Sequence, residues 1–121
     1  PVPFTFTDYF TQSFSVTKSI TTTGSDESVV SAPSTIGNIT WYKFIRVKTL
    51  IITNTSTSDA TVTLKDKAAV DGTDSGKSFD LKIPASSSVI LKLEKSPLDF
   101  YLTLYVNTDQ AISILAAGEY W

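Results

Sequence analysis

Strict alternation of apolar and polar residues is the feature that most constrains what this chain folds into. In residues 2–20 most even positions are apolar, among them Phe4, Phe6, Phe10 and Phe14, and every odd position is Thr, Ser, Tyr or Pro. A period of two places successive side chains on opposite faces of an extended strand, whereas a helix requires a period of 3.6. Since no segment shows a convincing helical period, the sequence predicts an all-β protein.

The same alternation recurs to the end of the chain, interrupted by short polar turns. Further strands are predicted around Val29, over the densely apolar residues 39–54, around residues 60–65, 79–83, 89–93 and 101–106, and in a last strand that ends near Tyr120. Residues 39–54 fit either two strands joined by a bend or one long central strand. About eight mostly antiparallel strands with short turns predict a β-sandwich that resembles a jelly roll.

A chain of 121 residues fits one domain. We expect an extended N-terminal arm over residues 1–8 and a single β-sandwich domain over residues 9–121. Leu102, Leu104 and Val106 are expected to face inward on one strand. The wider set of residues expected between the two sheets is Val62, Leu64, Leu81, Leu91, Leu104 and Ile112.

Composition argues against catalysis. The chain contains neither His nor Cys, so it lacks the usual general base, the usual metal ligands and any thiolate nucleophile. We therefore expect no enzymatic activity, no cofactor and no metal. Ten basic and twelve acidic residues give a net charge of −2, which argues against nucleic acid as a partner. The small basic cluster of Lys43, Arg46 and Lys48 is interpreted as a solvated strand end. No apolar run approaches the roughly eighteen residues that a membrane span requires.

Two local motifs permit a functional and a structural interpretation. The loop from Asp66 to Gly76 contains three aspartates and two glycines. Such a loop suits calcium, but it lacks the spacing of an EF-hand, and we interpret it as a solvated turn. Asn38 and Asn54 begin N-glycosylation triplets, which arise often by chance in a chain rich in threonine.

Aromatic residues are the candidates for a binding surface. They suit either a platform for sugar rings or packing in the core or at a subunit contact, where Tyr and Trp are enriched. We favour a subunit contact made by the aromatic residues and the arm. The predicted interface residues are Phe4, Phe6, Phe10, Tyr101, Tyr105, Tyr120 and Trp121.

Four segments of the C-terminal part carry a resemblance to a known family. They are residues 50–56 (LIITNTS), 60–64 (ATVTL), 83–91 (IPASSSVIL) and 111–120 (AISILAAGEY). With these segments, residues 48–121 resemble small β-sandwich structural and decoration proteins of the virions of tailed phages and related viruses. The resemblance implies a role in capsid decoration, head fibres or tails, usually as a multimer, and it supplies no catalytic residues.

These observations lead us to expect a virion surface or capsid decoration subunit that acts through protein–protein assembly. Its partners would be further copies of itself, in a homo-oligomer, and other virion proteins. Pro1 is a common residue after removal of an initiator Met, and residues 1–20 lack the apolar block of a signal peptide. We therefore expect assembly in the host cytoplasm. The alternatives are an extracellular filament or surface-layer subunit and a carbohydrate-binding module, whose partner would be a glycan.

The arm gives the first prediction. An extended segment with Phe4, Phe6 and Phe10 on one side leaves backbone groups unpaired until it adds to a sheet, either its own or that of a neighbouring copy. Deletion of residues 1–8 is expected to lower the oligomeric mass measured by light scattering while the melting temperature of the monomer is kept. Full oligomeric mass would show that the arm does not hold subunits together. Unfolding of the monomer would show that the arm belongs to its own core.

Overall fold

The structure, a computed structural model, describes residues 12–33, 44–66 and 77–121. In these ranges the chain forms nine strands and no helix, which confirms the all-β prediction. The strands are β1 (Gln12–Ile20), β2 (Glu27–Ser31), β3 (Phe44–Asn54), β4 (Ala60–Asp66), β5 (Lys77–Ile83), β6 (Ser88–Lys92), β7 (Leu98–Tyr101), β8 (Thr103–Thr108) and β9 (Ile112–Tyr120).

Two antiparallel sheets form a β-sandwich. Sheet A has the strand order β1-β9-β3-β6, and β7 also pairs with β3. Sheet B has the order β2-β8-β4-β5. The chain changes sheet at most of its connections, so that each sheet combines strands from both halves of the sequence. With β6 and β7 counted as one interrupted strand, this is the eight-stranded wrapping of a jelly roll.

The core lies between the two sheets and is built from the apolar side of each strand. Of the residues that the sequence predicted to be buried, Val62, Leu64, Leu104 and Ile112 are buried. Leu81 and Leu91 are partly buried and pack against the same cluster. They lie on β5 and β6, each the last strand in the order of its sheet, where no strand among the described residues pairs with the outer side.

The sequence prediction was wrong at Leu102, which is 37% exposed. The chain leaves sheet A at Tyr101 and enters sheet B at Thr103, and Leu102 makes this change with a φ of +63°. Asp66 on β4 supports the crossing, because its Oδ1 accepts a hydrogen bond of 3.0 Å from the backbone N–H of Tyr101. The strand predicted over residues 101–106 therefore begins at Thr103 as β8, and residues 98–101 form a separate strand, β7, that the sequence did not predict, which gives nine strands instead of eight.

Residues 44–54 form one long strand with a β-bulge in it. Ile45 and Val47 face the core before the bulge, and Leu50 and Ile52 face it afterwards. The pairing of β3 with β9 shifts by one residue between Val47 and Thr49, which leaves Lys48 as the extra residue. Residues 39–54 were expected to form either two strands joined by a bend or one long central strand, and the described part fits one central strand. Residues 39–43 lie outside the described ranges. The arm and residues 9–11 also lie outside them.

The turn after β3 and the turn after β5 contact each other at one end of the sandwich. Asn54 is 1% exposed, and its Nδ2 donates to the carbonyl oxygens of Ser58 at 2.7 Å and Ile83 at 3.1 Å. Its Oδ1 accepts from the backbone N–H of Ser56 at 2.9 Å. The backbone N–H of Ser86 donates to the carbonyl of Ser56. Asn54 therefore ties the turn after β3 to the turn after β5, and its buried amide nitrogen is inaccessible to glycosylation in the folded chain.

Gly118 lies where the backbone of β9 approaches β3 too closely for a side chain. A Cβ atom at this position would overlap the carbonyl oxygen of Arg46 and would lie 3.1 Å from the backbone nitrogen of Lys48. Both neighbours are backbone atoms of β3 beside the bulge, so they move only if the pairing of β3 and β9 moves with them. Gly118 is required at this position because any side chain would separate the two strands.

Replacement of this glycine gives the second prediction. Gly118→Ala is expected to lower the free energy of unfolding by at least ~1–3 kcal/mol, the usual cost of overpacking, measured by urea denaturation. Gly24→Ala is the matched control: Gly24 has a φ of +77°, but a Cβ added there would meet nothing within 4 Å, so only the backbone penalty of about 1 kcal/mol applies. If Gly118→Ala and the wild type have the same urea midpoint of unfolding, the close contact between Gly118 and the backbone of Arg46 is contradicted.

Candidate interaction surface

The outer faces of the two sheets differ in chemistry. The outer face of sheet B is polar: Thr61, Thr63 and Lys65 lie on β4, and Asp80 and Lys82 lie beside them on β5. Thr63 donates a hydrogen bond of 2.8 Å to Asp80 Oδ1, which is typical of a solvated sheet surface. The outer face of sheet A, in contrast, carries several large apolar side chains, and it is the candidate interaction surface.

An apolar row crosses the outer face of sheet A. Ile90 on β6 pairs with Ile51 on β3, and Ile51 pairs with Leu115 on β9. Ile51 and Leu115 are half-buried, whereas Ile90 is 58% exposed, the largest exposure among the large apolar residues that the structure describes. Three neighbouring apolar side chains on a solvent-facing sheet are unusual, because cross-strand neighbours on such a face are ordinarily polar.

An aromatic end occupies one edge of the same face, where β3 begins and β9 ends. It consists of Phe44, Tyr101 and Trp121. Phe44 and Trp121 exchange backbone hydrogen bonds, and their rings stack with centroids 5.1 Å apart. The rings of Phe44 and Tyr101 meet edge to face at 5.6 Å. Trp121 is 41% exposed, so this cluster presents a broad aromatic surface to the surroundings.

Ion pairs lie between the apolar row and the aromatic end. Arg46 binds Asp99 through two hydrogen bonds of 2.9 and 3.2 Å, and Lys48 lies 3.0 Å from Glu119. The hydrogen bond to Asp99 is the main cause that raises the pKa of Arg46 above its usual value. The guanidinium carbon of Arg46 also lies 4.4 Å from the centroid of the Trp121 ring.

These pairs define the electrostatics of the surface. The basic groups of Arg46 and Lys48 are each matched by an acid, so this part of the face carries little net charge and offers no cationic patch for phosphate. Lys43, the third member of the basic cluster in the sequence, lies outside the described residues.

The predicted interface residues fall in three different places. Tyr101 and Trp121 belong to the aromatic end. Tyr105 lies on β8 in sheet B, opposite Lys65, and is half-buried. Tyr120 is only 9% exposed and stacks on Phe14, with ring centroids 4.8 Å apart, inside the sandwich. Phe4, Phe6 and Phe10 lie outside the described residues.

Sequence reasoning missed the apolar row, although a signal for it is present. Ile51, Ile90 and Leu115 each stand between two other apolar residues, so the alternation fails at all three positions. A strand with apolar residues on both faces is covered on both faces, or has an outer face suited to a contact. The alternation of apolar and polar residues therefore fails at three positions that are neighbours across the strands of sheet A, and this failure indicates the interaction surface.

The other motifs do not form a site in the part of the chain that the structure describes. Asp66 is buried and supports the crossing at Tyr101, and the rest of the loop to Gly76 lies outside the described ranges. Within those ranges, no group of three or more acidic residues is arranged to hold a metal ion. No helix there is long and apolar enough to cross a membrane.

Comparison with known proteins supplies no family. No protein-family model matches the sequence, and a search of curated proteins finds none that is similar to it. The functional interpretation therefore depends on the surface described above.

The buried phenol of Tyr120 gives the third prediction. Burial raises its pKa above the ordinary value, whereas the unfolded chain ionises tyrosine at about pH 10. The stabilisation from this group is complete below about pH 10 and is lost as the pH rises through the higher pKa of the folded state, because the unfolded state releases its proton first.

The unfolding free energy of the wild type is therefore expected to fall above about pH 10, measured by denaturant titration at several pH values. Tyr120→Phe should have a smaller decline over this range, and Tyr105→Phe serves as the matched control on the other sheet. An identical pH dependence in the wild type and Tyr120→Phe would refute the role assigned to this phenol.

Proposed function

We propose that this chain is a structural subunit of a virus particle, a virion surface or capsid decoration protein that acts through protein–protein assembly. The observation that carries the proposal is the outer face of sheet A, where the apolar row and the aromatic end flank mutually neutralised ion pairs. An exposed Trp, a half-buried Tyr, apolar side chains and a paired Arg are the composition of protein–protein contacts. The outer face of sheet B serves for comparison within the same molecule. Its polar side chains are typical of a surface that remains in contact with water.

The fold is compatible with this role. Jelly rolls occur in viral capsid proteins and also in lectin domains, and one fold serves many functions. The resemblance of residues 48–121 to phage virion proteins supports the first of these two classes. The proposed partners are further copies of the chain and other virion proteins, and the proposed location is the virion, assembled in the host cytoplasm.

Particle composition tests the proposal and gives the fourth prediction. Virus particles purified from the native source are expected to contain the wild-type chain in many copies, measured by quantitative mass spectrometry, because a decoration subunit covers a repeated surface. Labelling with antibody should locate the chain on the particle in electron micrographs. The proposal fails if the chain remains in the supernatant when the particles are pelleted.

Glycan binding is the second candidate function, favoured by the exposure of Trp121 in the aromatic end. A sugar stacks on an open aromatic face, but the ring of Trp121 already contacts Phe44 and the guanidinium of Arg46, which favours a role in assembly. A glycan array separates the two functions: binding by the wild type that is lost in Trp121→Ala would establish the lectin role. An extracellular filament or surface-layer subunit would use the same surface, and the start codon of the gene, which reveals a secretion signal or its absence, distinguishes it.

A further inference from the structure

We infer that the outer face of sheet A packs against the same face of a second copy of this chain, in a dimer with two-fold symmetry. The inference rests on the proposed function, because it names the partner of the surface proposed to mediate assembly. It goes further in assigning the contact to particular residues and to an isologous arrangement, in which the same patch of both copies forms the interface.

The charge distribution favours a second copy over an oppositely charged partner. Arg46 is paired with Asp99, and Lys48 with Glu119, within one chain. These two pairs cancel in charge, so this part of the face has no net sign to attract a strongly acidic or basic protein. It also meets an identical face without the repulsion that like charges cause. Lys92, at the end of the short edge strand β6, lies at the rim, where it can remain hydrated.

The arrangement of apolar groups is complementary to itself. The apolar row and the aromatic end lie on either side of the ion pairs along the strand direction. A two-fold axis parallel to the face and perpendicular to the strands reverses this direction. The aromatic end of each copy is thereby brought over the apolar row of the other. This rotation keeps each strand position opposite itself, so Tyr101, on the same side of β3 as β6, covers Ile90, and Trp121, which continues β9, covers Leu115.

The size of the face is sufficient for a specific dimer. Four strand widths at about 4.8 Å and five rows of side chains at about 6.8 Å give a face of roughly 650 Å². Two such faces bury about 1,300 Å², which exceeds the ~1,000 Å² expected of a biological contact and lies near the lower end of stable interfaces. Sheets packed face to face in this way are the arrangement found inside every β-sandwich.

The test measures the dissociation constant of the full chain by sedimentation equilibrium for the wild type, Ile90→Lys and Thr61→Lys. Ile90 is exposed in the monomer, so its replacement should leave the circular dichroism spectrum and the melting temperature of the monomer unchanged. Thr61→Lys introduces the same charge on the exposed face of sheet B and is the matched control. The wild type and the control are expected to be dimers, and Ile90→Lys should weaken the dimer by roughly 100-fold, since the substitution is present in both copies.

Complementation tests the symmetry. Ile90→Lys and Tyr101→Ala are each expected to dissociate alone, whereas a mixture of the two retains one intact Tyr101–Ile90 contact per heterodimer and should associate more tightly than either variant. A monomeric wild type, or equal dimerisation of the wild type and Ile90→Lys, would overturn the inference. A dimer that is lost on deletion of residues 1–8 but not in Ile90→Lys would assign the contact to the arm and would overturn it as well. None of these results bears on whether the chain is found on virus particles, so the proposed function is judged separately.

Discussion

The β-bulge at Lys48 controls which side chains of the central strand face the core. Ile45 and Val47 occupy odd positions, and Leu50 and Ile52 occupy even ones. A regular strand would send one of these pairs into water. The extra residue changes the parity, so all four are buried. Because β3 pairs with β9 on one side and with β6 and β7 on the other, the bulge determines the geometry of the whole of sheet A.

The neighbouring strands accommodate the bulge in two different ways. On one side the carbonyl of Arg46 approaches β9 so closely that only Gly118 fits. On the other side the pairing is interrupted between β6 and β7, and the backbone N–H of Leu93 donates to the carbonyl of Lys48 at this interruption. The bulge also separates Arg46 from Thr49 and Ile51 on the outer face. The ion pairs therefore come to lie between the aromatic end and the apolar row.

The turns at residues 54–58 and 83–86 act in this chain as structural joints. Asn54, in the LIITNTS segment, holds the backbone of Ile83, which begins the IPASSSVIL segment. A buried side-chain amide with donors and acceptors both satisfied fixes the relative position of two turns. The same residues, seen only in sequence, had suggested a glycosylation triplet. The burial and hydrogen bonds of Asn54 give this residue a structural role that is independent of any function.

The sequence by itself determined the fold class, most of the core and the absence of the usual catalytic side chains. Period-two patterning depends only on adjacent positions, and the buried side of a strand such as Ala60–Asp66 can therefore be identified without knowledge of its partners. Tertiary structure alone decided which strands are neighbours, and hence that Ile51, Ile90 and Leu115, far apart in the chain, form one row. It also decided that Tyr120 turns inward while Trp121 remains exposed, because the face that an aromatic side chain presents depends on the register with β1 and β3. Residues distant in sequence share a surface only after hydrogen bonding between strands has fixed that register, and no local pattern contains this information.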